Sequence, residues 1–312
     1  MRLLLAAIVA LSLCCVSARP VAAALTVNGY SLATAGKYDR FENSLSFIGS
    51  AYDWSGVGRT SLAGGRWGVL ISPSFVLSAA HYPPAVNDTI HFYPNNNPSS
   101  VPESRLIASN TTITQTGNSV GSDLLLTRLS APVTGISTYA IGNPAMNLVG
   151  EELFVWGLDN NADQFLNTRL GRNEVTEILP AFSNGTPGAP TGDVFVYDYN
   201  TTTGLGPDEA RLANYDSGGP SFIVGPDGKL ALVGIHWFNY DPDPEVPGSL
   251  GGSGDTLVTS FIDELNFAMA ATGSLERVTV AVPEPSALGL CALGLSLVCF
   301  GRRRRSSPSI RV

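Results

Sequence analysis

The sequence Asn214-Tyr215-Asp216-Ser217-Gly218-Gly219-Pro220 decides how the rest of this chain is interpreted. It sets one serine in a tight, glycine-supported turn, where a hydroxyl and neighbouring backbone N–H groups can converge on a substrate carbonyl. Glycine and proline also mark ordinary loops in any fold. The stretch alone therefore leaves a serine nucleophile and a plain turn as alternatives, and the remainder of the chain decides between them.

Two upstream segments carry the groups that a serine nucleophile requires. Residues 67–81, WGVLISPSFVLSAAH, are typical of two short apolar strands around a Ser-Pro-Ser turn and end on His81. Asp123 opens the apolar segment Leu124–Leu129. A serine hydroxyl needs a base to take its proton, and histidine, with an ordinary pKa of about 6.5, can serve as that base.

These three motifs resemble the signatures of the chymotrypsin/trypsin-like serine proteases, which are Ala-Ala-His, an aspartate before an apolar strand, and Gly-Asp-Ser-Gly-Gly-Pro. The resemblance covers roughly residues 45–272, and the spacings are close to those of the family, with 42 residues from His81 to Asp123 and 94 from Asp123 to Ser217. It implies an all-β fold of two antiparallel six-stranded β-barrels with a C-terminal helix. The active site would lie between the barrels.

The resemblance also implies a role for each motif residue. Ser217 would be the nucleophile and His81 the base that later protonates the leaving amine, while Asp123 would orient the imidazole and stabilise its charged form. The backbone N–H groups of Tyr215 and Ser217 would form the oxyanion hole. Tyr215 departs from the family, which has glycine at this position. Either the loop is adjusted or the oxyanion hole is impaired.

In the family, the acid before the serine pairs with an N-terminal amine that zymogen cleavage releases. Here that acid is Asp216. The chain has no Ile-Val-Gly-Gly-like segment, and the predicted mature end at Leu25 lies 56 residues before His81. We therefore expect Asp216 to have another partner, or the enzyme to fold directly into its active form.

Three further residues are candidates for the specificity pocket. Arg211, six residues before the serine, takes the family's pocket-base position, where a cation would favour an acidic substrate side chain. The alternative is that loop lengths differ and Arg211 faces solvent. His236 stands where the family usually has the serine that touches the triad aspartate, so it is expected near Asp123, and Trp237 follows it along the substrate channel.

The body of the chain alternates short apolar runs with Gly, Pro, Asn and Asp, which favours an all-β sandwich or barrel. A linker is expected near residues 134–147, and Ser221–Val224 should pair with Lys229–Phe238 in a hairpin. Residues 256–271 carry apolar side chains at helical spacing and predict the terminal helix. The other predicted strands are Trp67–Ile71, Phe75–Ala79, Thr89–Tyr93, Leu106–Thr114, Leu124–Leu129, Leu153–Leu158, Arg169–Leu179 and Val194–Tyr199.

The two ends of the chain are typical of sorting segments. Residues 1–24 combine a basic start, an apolar run and small residues before a cut, which predicts a signal peptide for the Sec pathway rather than a membrane anchor. Residues 282–305 join Pro-Glu-Pro to an apolar stretch and four arginines, and they resemble the PEP-CTERM sorting signal of Gram-negative bacteria; residues 306–312 form a short tail. The resemblance implies recognition by an exosortase-type enzyme. The apolar stretch is at the short edge of what crosses a bilayer and would anchor the chain in the membrane as a transmembrane helix, transiently or stably, with the arginines on the cytoplasmic side. The alternative to a sorting signal is an ordinary tail anchor.

Composition narrows the partners of the exported domain, residues 25–281. All four cysteines lie in the two apolar ends, so the domain should contain no disulfide and no thiolate metal site. Seven of the 18 basic residues also lie in the ends, so the domain has 11 basic residues and 25 of the 26 acids, which makes nucleic acid an unsuitable partner. Acids within Asn239–Gly252 suggest a calcium loop or, better, a solvated segment.

The sequence therefore predicts a secreted serine endopeptidase of the cell surface or matrix. It would act on a protein or peptide substrate through an acyl-enzyme and would need no cofactor. The alternative is a binding module on a protease fold that has lost catalysis. An α/β-hydrolase esterase is excluded because Ser217 lacks the Gly-x-Ser-x-Gly elbow and the histidine precedes the serine.

Overall fold

The computed structural model describes residues 24–61, 65–159, 165–200, 204–242 and 250–281. Strands dominate these ranges, and most of them belong to a closed barrel or to one large antiparallel sheet. The predicted all-β class with a C-terminal helix is confirmed. The predicted signal peptide and the predicted apolar C-terminal segment lie outside the described residues, apart from Ala24.

The N-terminal segment precedes both sheets. Strand β1 is Thr26–Val27, and it is followed by the single-turn helix α1, Ala35–Tyr38, between short 3₁₀ turns at Leu32–Thr34 and Arg40–Glu42. Buried Asp39 accepts hydrogen bonds from Arg169 at 2.6 and 3.4 Å, so a charged pair holds this segment against the second half of the molecule.

Six strands close the first barrel in the order β2-β3-β4-β7-β6-β5. The hairpin β3–β4 turns at Pro73-Ser74, as the sequence predicts. Every residue of β3 and β4 is buried, because one face fills the barrel and the other is covered by the rest of the molecule. The strands are β2 Val57–Thr60, β3 Trp67–Ser72, β4 Phe75–Ala79, β5 Thr89–Phe92, β6 Glu103–Thr112 and β7 Leu124–Leu129.

The second half is an eight-stranded sheet rather than a six-stranded closed barrel. Its path is β10-β9-β14-β15-β16-β12-β11, and β8 joins β15 in parallel from within the predicted linker. A separate short strand, β13, pairs with β1 and so ties the N-terminus to this half. The strands are β8 Ala140–Ile141, β9 Glu152–Gly157, β10 Arg169–Glu174, β11 Glu177–Phe182, β12 Gly192–Asp198, β13 Ala210–Arg211, β14 Pro220–Val224, β15 Leu230–Tyr240 and β16 Gly252–Leu257.

Two predicted elements differ from those observed. The predicted strand Arg169–Leu179 is two strands, β10 and β11, which pair with different neighbours. The predicted helix from Thr256 begins instead with the end of β16, continues as a 3₁₀ turn at Val258–Phe261 and becomes helix α2 only at Ile262–Ala271. The sequence Gly-Ser-Gly-Asp of β16 is typical of a loop, and only the backbone pairing with β12 and β15 makes it a strand.

Aromatic packing joins the two halves. The Trp54 ring lies 5.0 Å from the Trp156 ring and 5.6 Å from the Phe222 ring, both in edge-to-face geometry. Trp54 precedes the barrel, whereas the other two residues belong to β9 and β14 of the sheet. Because large buried rings contribute strongly to packing, this cluster fixes the relative position of the two halves and hence of the site between them.

Candidate active site

The predicted triad residues meet between the two halves. His81 Nδ1 lies 2.7 Å from Asp123 Oδ2, and His81 Nε2 lies 2.8 Å from Ser217 Oγ. The pairing of Ala79 with Leu124 aligns the end of β4 with the start of β7, so His81 and Asp123 leave neighbouring strand ends together.

Hydrogen-bond chemistry determines where the imidazole proton lies. A carboxylate only accepts hydrogen bonds, so His81 Nδ1 carries a hydrogen and donates it to Asp123. His81 Nε2 is then the acceptor for the Ser217 hydroxyl. The backbone N–H of His81 also donates to Asp123 Oδ1 at 2.9 Å, which fixes the carboxylate through both oxygens. The arrangement can draw a proton from an alcohol.

Asp123 is fully buried, whereas the His81 side chain is 36% exposed. Burial raises the pKa of Asp123 above its ordinary value, although the hydrogen bonds and the charge interaction with His81 lower it in part. The carboxylate thus sits where its interaction with an imidazolium is little screened by water, and the imidazole edge that faces Ser217 stays open to a substrate.

Gly218 lets the serine loop approach the first barrel closely. A Cβ atom at Gly218 would lie 2.8 Å from Ser78 Oγ and 3.1 Å from the Ala79 backbone nitrogen, and its φ is +83°. Both the space and the backbone angle therefore require glycine. This contact sets the distance between Ser217 and the barrel that carries His81.

Tyr215 adopts the left-handed backbone conformation that the family achieves with glycine. Its φ is +78°, a region that L-residues with a Cβ rarely occupy. Neither the Tyr215 N–H nor the Ser217 N–H donates to a protein acceptor within the described residues. Two free donors are therefore left on the serine loop, as a site for an oxyanion requires.

Asp216 has two backbone partners, the N–H groups of Leu158 and Ala213, each at 2.7 Å. It is completely buried, and burial raises its pKa to about 7. Leu25, the predicted mature end, also lies near Asp216. A Cβ atom at Gly157 would lie 2.7 Å from both Asp216 Oδ1 and Leu25 Cβ, so Leu25 and Asp216 contact the same glycine.

Strand pairing explains this proximity. β1 pairs with β13, five residues before Asp216, and the Leu25 N–H donates to the Leu158 carbonyl at 2.8 Å. The number of residues between Leu25 and His81 carries no information about this contact, because β1 belongs to the second half of the molecule.

Comparison with known protein families agrees with this geometry. Residues 48–250 match the family model described as Trypsin, which covers more than half of the chain. The chain belongs to the trypsin family. No curated protein matches it in sequence.

The tail of this trypsin-family chain has its own match. Residues 281–305 match the model described as the PEP-CTERM protein-sorting motif. This signal indicates export and sorting to the cell envelope in Gram-negative bacteria. Within the part of the chain that the structure describes, no helix is long and apolar enough to cross a membrane. The predicted transmembrane segment lies outside that part and gains no support here.

A cavity of about 300 Å³ opens beside the serine of this trypsin-family site. Its lining includes Ser217, Tyr215, Trp237, Phe238 and Asn239, and none of the described residues that line it is charged. A wider groove of about 790 Å³ shares Trp237, Phe238 and Asn239 with it. Trp237 therefore lines both the cavity and the groove.

Arg211 does not line the cavity. Its Nη1 donates to the Leu250 carbonyl oxygen at 2.7 Å, and its guanidinium lies 5.4 Å from the centre of the Tyr199 ring. Arg211 lies in the short strand β13, which pairs with β1. The predicted pocket-base role of Arg211 is not supported by these contacts.

His236 is buried in β15 and does not contact Asp123. Its Nδ1 lies 2.9 Å from Asp255 Oδ1, and its Nε2 lies 2.6 Å from the Trp156 carbonyl oxygen. Nor does it line the 300 Å³ cavity. Its expected place near Asp123 is therefore wrong, because its ring points into the second sheet toward β9 and β16.

Sequence reasoning missed three residues that surround the site. Asp255 lies in the glycine-rich strand β16, where no pattern marks it as a partner of a histidine. Tyr82 directly follows His81, and its ring lies 6.1 Å from the Tyr215 ring. The Arg66 guanidinium lies 3.4 Å from the centre of the Tyr82 ring. The adjacency of Tyr82 to the histidine was the one signal available for this group.

Proposed function

We propose that this protein is a secreted serine endopeptidase that hydrolyses peptide bonds through an acyl-enzyme. The observation that supports the proposal most is the continuous chain of contacts from Asp123 through His81 to Ser217, at 2.7 and 2.8 Å. Membership of the trypsin family supports the same reaction class.

In the proposed mechanism, Ser217 Oγ attacks the scissile carbonyl carbon as His81 Nε2 takes its proton. The carbonyl oxygen becomes negative and is stabilised by the N–H groups of Tyr215 and Ser217. His81, now an imidazolium stabilised by Asp123, protonates the leaving amine, and the C–N bond breaks. Water then attacks the ester carbonyl carbon as His81 takes one of its protons. The bond to Ser217 Oγ breaks, His81 returns the proton to Ser217, and the carboxylic acid product leaves.

We also propose the order of export. A signal peptidase removes residues 1–24, which leaves the domain 25–281 with Leu25 at its N-terminus. The segment 282–305 then delivers the domain to an exosortase-type enzyme, with its apolar stretch holding the chain in the membrane until the cut. The partners are therefore that sorting enzyme and a protein or peptide substrate at the cell surface or matrix.

A fluorophosphonate probe tests the hydrolase proposal, because it forms an adduct only with an activated serine. We expect stoichiometric labelling of Ser217 in the purified mature protein, located by peptide mass analysis. Ser217→Ala should abolish labelling, whereas Ser221→Ala, a matched serine in β14, should label normally provided that its far-UV spectrum is unchanged.

A second candidate function is that of a binding module on a protease fold that has lost catalytic activity. Tyr215 favours it, since a side chain at this position narrows the approach to the oxyanion donors. Absence of any adduct on Ser217 in a folded protein would favour this alternative over the hydrolase.

A further inference from the structure

His236 lies directly beneath the serine loop. Its backbone N–H donates to the Gly219 carbonyl oxygen at 2.8 Å, and its own carbonyl oxygen accepts from the Gly218 N–H at 3.0 Å. A Cβ atom at Gly219 would lie 2.7 Å from His236 Cδ2, so the imidazole packs against the loop backbone two residues after Ser217. The ring is completely buried.

Both ring nitrogens of His236 face acceptors. The Trp156 carbonyl oxygen, 2.6 Å from Nε2, can only accept, so Nε2 carries a hydrogen. Asp255 Oδ1, 2.9 Å from Nδ1, also accepts from the Tyr197 hydroxyl at 3.2 Å. A neutral imidazole has one N–H and satisfies only one of these acceptors.

A neutral His236 beside an ionised Asp255 therefore has one proton too few to make both hydrogen bonds, so the pair carries one additional proton. That proton lies on the ring, because imidazole is more basic than a carboxylate by about 2.6 pKa units in water. Burial lowers the pKa of His236. The charge and hydrogen bond of Asp255, the charge of Asp216 and the Trp156 carbonyl outweigh burial, so the pKa of His236 is raised.

The charged and titratable groups around this ring come from several parts of the fold. Asp255 approaches from β16, Tyr197 from β12 and Asp216 from the serine loop, while Arg59 of β2 interacts with Asp216 across the boundary between the halves. Asp216 and Asp255 are both fully buried. A positive ring reduces the repulsion between these two carboxylates and compensates the buried charge of Asp255.

We propose that His236 is a positioning residue for Ser217: it stays an imidazolium through the neutral pH range, and this buried cation holds the serine loop in its reactive shape. The inference rests on the proposed hydrolase function. Because the folded pKa is raised, the stabilisation is complete below the ordinary pKa of histidine and is lost as pH rises through the raised folded value. Reactivity of Ser217 should therefore fall at alkaline pH when the ring loses its extra proton.

Nitrogen NMR of ¹⁵N-histidine-labelled mature protein tests the proton directly. The chain has only three histidines, His81, His91 and His236, so the signal set that disappears in His236→Gln belongs to His236. We expect both nitrogens of His236 to be protonated at pH 7.5 and to stay so into the alkaline range. A non-protonated nitrogen in His236 at pH 7.5 overturns the proposal.

The pH profile of fluorophosphonate labelling tests the positioning role. In the wild type, the rate should fall at alkaline pH. In His236→Gln, whose amide can still donate to Trp156, we expect labelling at least about tenfold slower and no alkaline decline. His91→Gln, at a half-buried histidine hydrogen-bonded to Ser104 in the first barrel, should keep the wild-type profile.

The outcomes separate the two proposals. An alkaline decline that persists unchanged in His236→Gln overturns the positioning role and leaves the hydrolase intact. A wild-type protein that never labels at any pH overturns the hydrolase, and with it the role of His236 in reactivity. Lower thermal stability in His236→Gln with the wild-type pH profile would show a purely structural histidine and also overturn the inference.

Discussion

His81 Nε2 lies 2.8 Å from Ser217 Oγ although 136 residues separate them in the chain. The contact depends on two glycines as much as on the two reacting side chains. Gly218 lets the loop pack on β4, and Gly219 leaves room for the His236 ring. Close packing at Gly218 and Gly219 thus supports the hydrogen bond between the two halves of the molecule.

Asp123→Asn should lower kcat/KM by about 10⁴-fold with little change in KM, because the amide cannot hold the imidazole in the reactive tautomer. Peptide hydrolysis at pH 8 measures this loss. Asp227→Asn, in the hairpin between β14 and β15, should leave kcat/KM within twofold. A comparable loss in both variants would contradict a specific role for Asp123.

Tyr215→Gly should raise the free energy of unfolding by about 1 kcal/mol, because glycine relieves the cost of a positive φ. Fluorophosphonate labelling should continue, since the N–H remains. Urea titration measures the stability. Ala181→Gly, at a residue of β11 that also has a positive φ, should stabilise similarly without changing the labelling rate. Loss of labelling in Tyr215→Gly would mean that the tyrosine ring itself supports the reaction.

In the protein that still carries the signal peptide (the leader-bearing protein), we expect Asp216 to make the free energy of unfolding depend on pH below neutrality. Its pKa is raised to about 7, so its stabilisation is complete below the ordinary carboxyl pKa and is lost as pH rises toward 7. Relative to Asp216→Asn, the leader-bearing protein should therefore become less stable between pH 4 and pH 7. Urea unfolding across this range measures the difference, and a flat difference would contradict the raised pKa.

Cleavage before Leu25 should change that result, because it creates an amine on Leu25, which lies near Gly157 as Asp216 does. We expect intact-mass analysis of the exported protein to give Leu25 as the first residue. A variant with Gly-Ser added before Leu25 should be less stable at pH 7 than the native mature protein. The difference should vanish in the Asp216→Asn background. Equal stabilities in the Asp216 background would show that the amine does not reach the carboxylate.

Arg211→Gln should leave the order of cleavage preferences unchanged, because Arg211 is held by Leu250 and Tyr199 outside the cavity. Peptides that differ only in Glu, Gln, Lys and Phe before the scissile bond measure this. We expect no selection for charge, since none of the described lining residues is charged. A preference for Glu that is lost in Arg211→Gln would restore the pocket-base role.

Much of the barrel was predictable because its strands carry their own signals. Phe75–Ala79 and Leu124–Leu129 were predicted with the observed bounds, since each is a short, mostly apolar segment. β16 was not, because Gly252, Ser253 and Gly254 have no strand propensity and gain their conformation from two neighbouring strands.

The sequence by itself determined the family, the all-β class and the identity of the three motif residues, because the chemistry of a serine nucleophile restricts which residue types occur in which local turns. Only the tertiary structure decided the partners of His236, Asp216 and Arg211. Each of these contacts joins strands that are distant in the chain, and such pairing depends on the packing of the whole sheet. A local sequence pattern indicates which group reacts, whereas the fold determines which charged groups lie beside it.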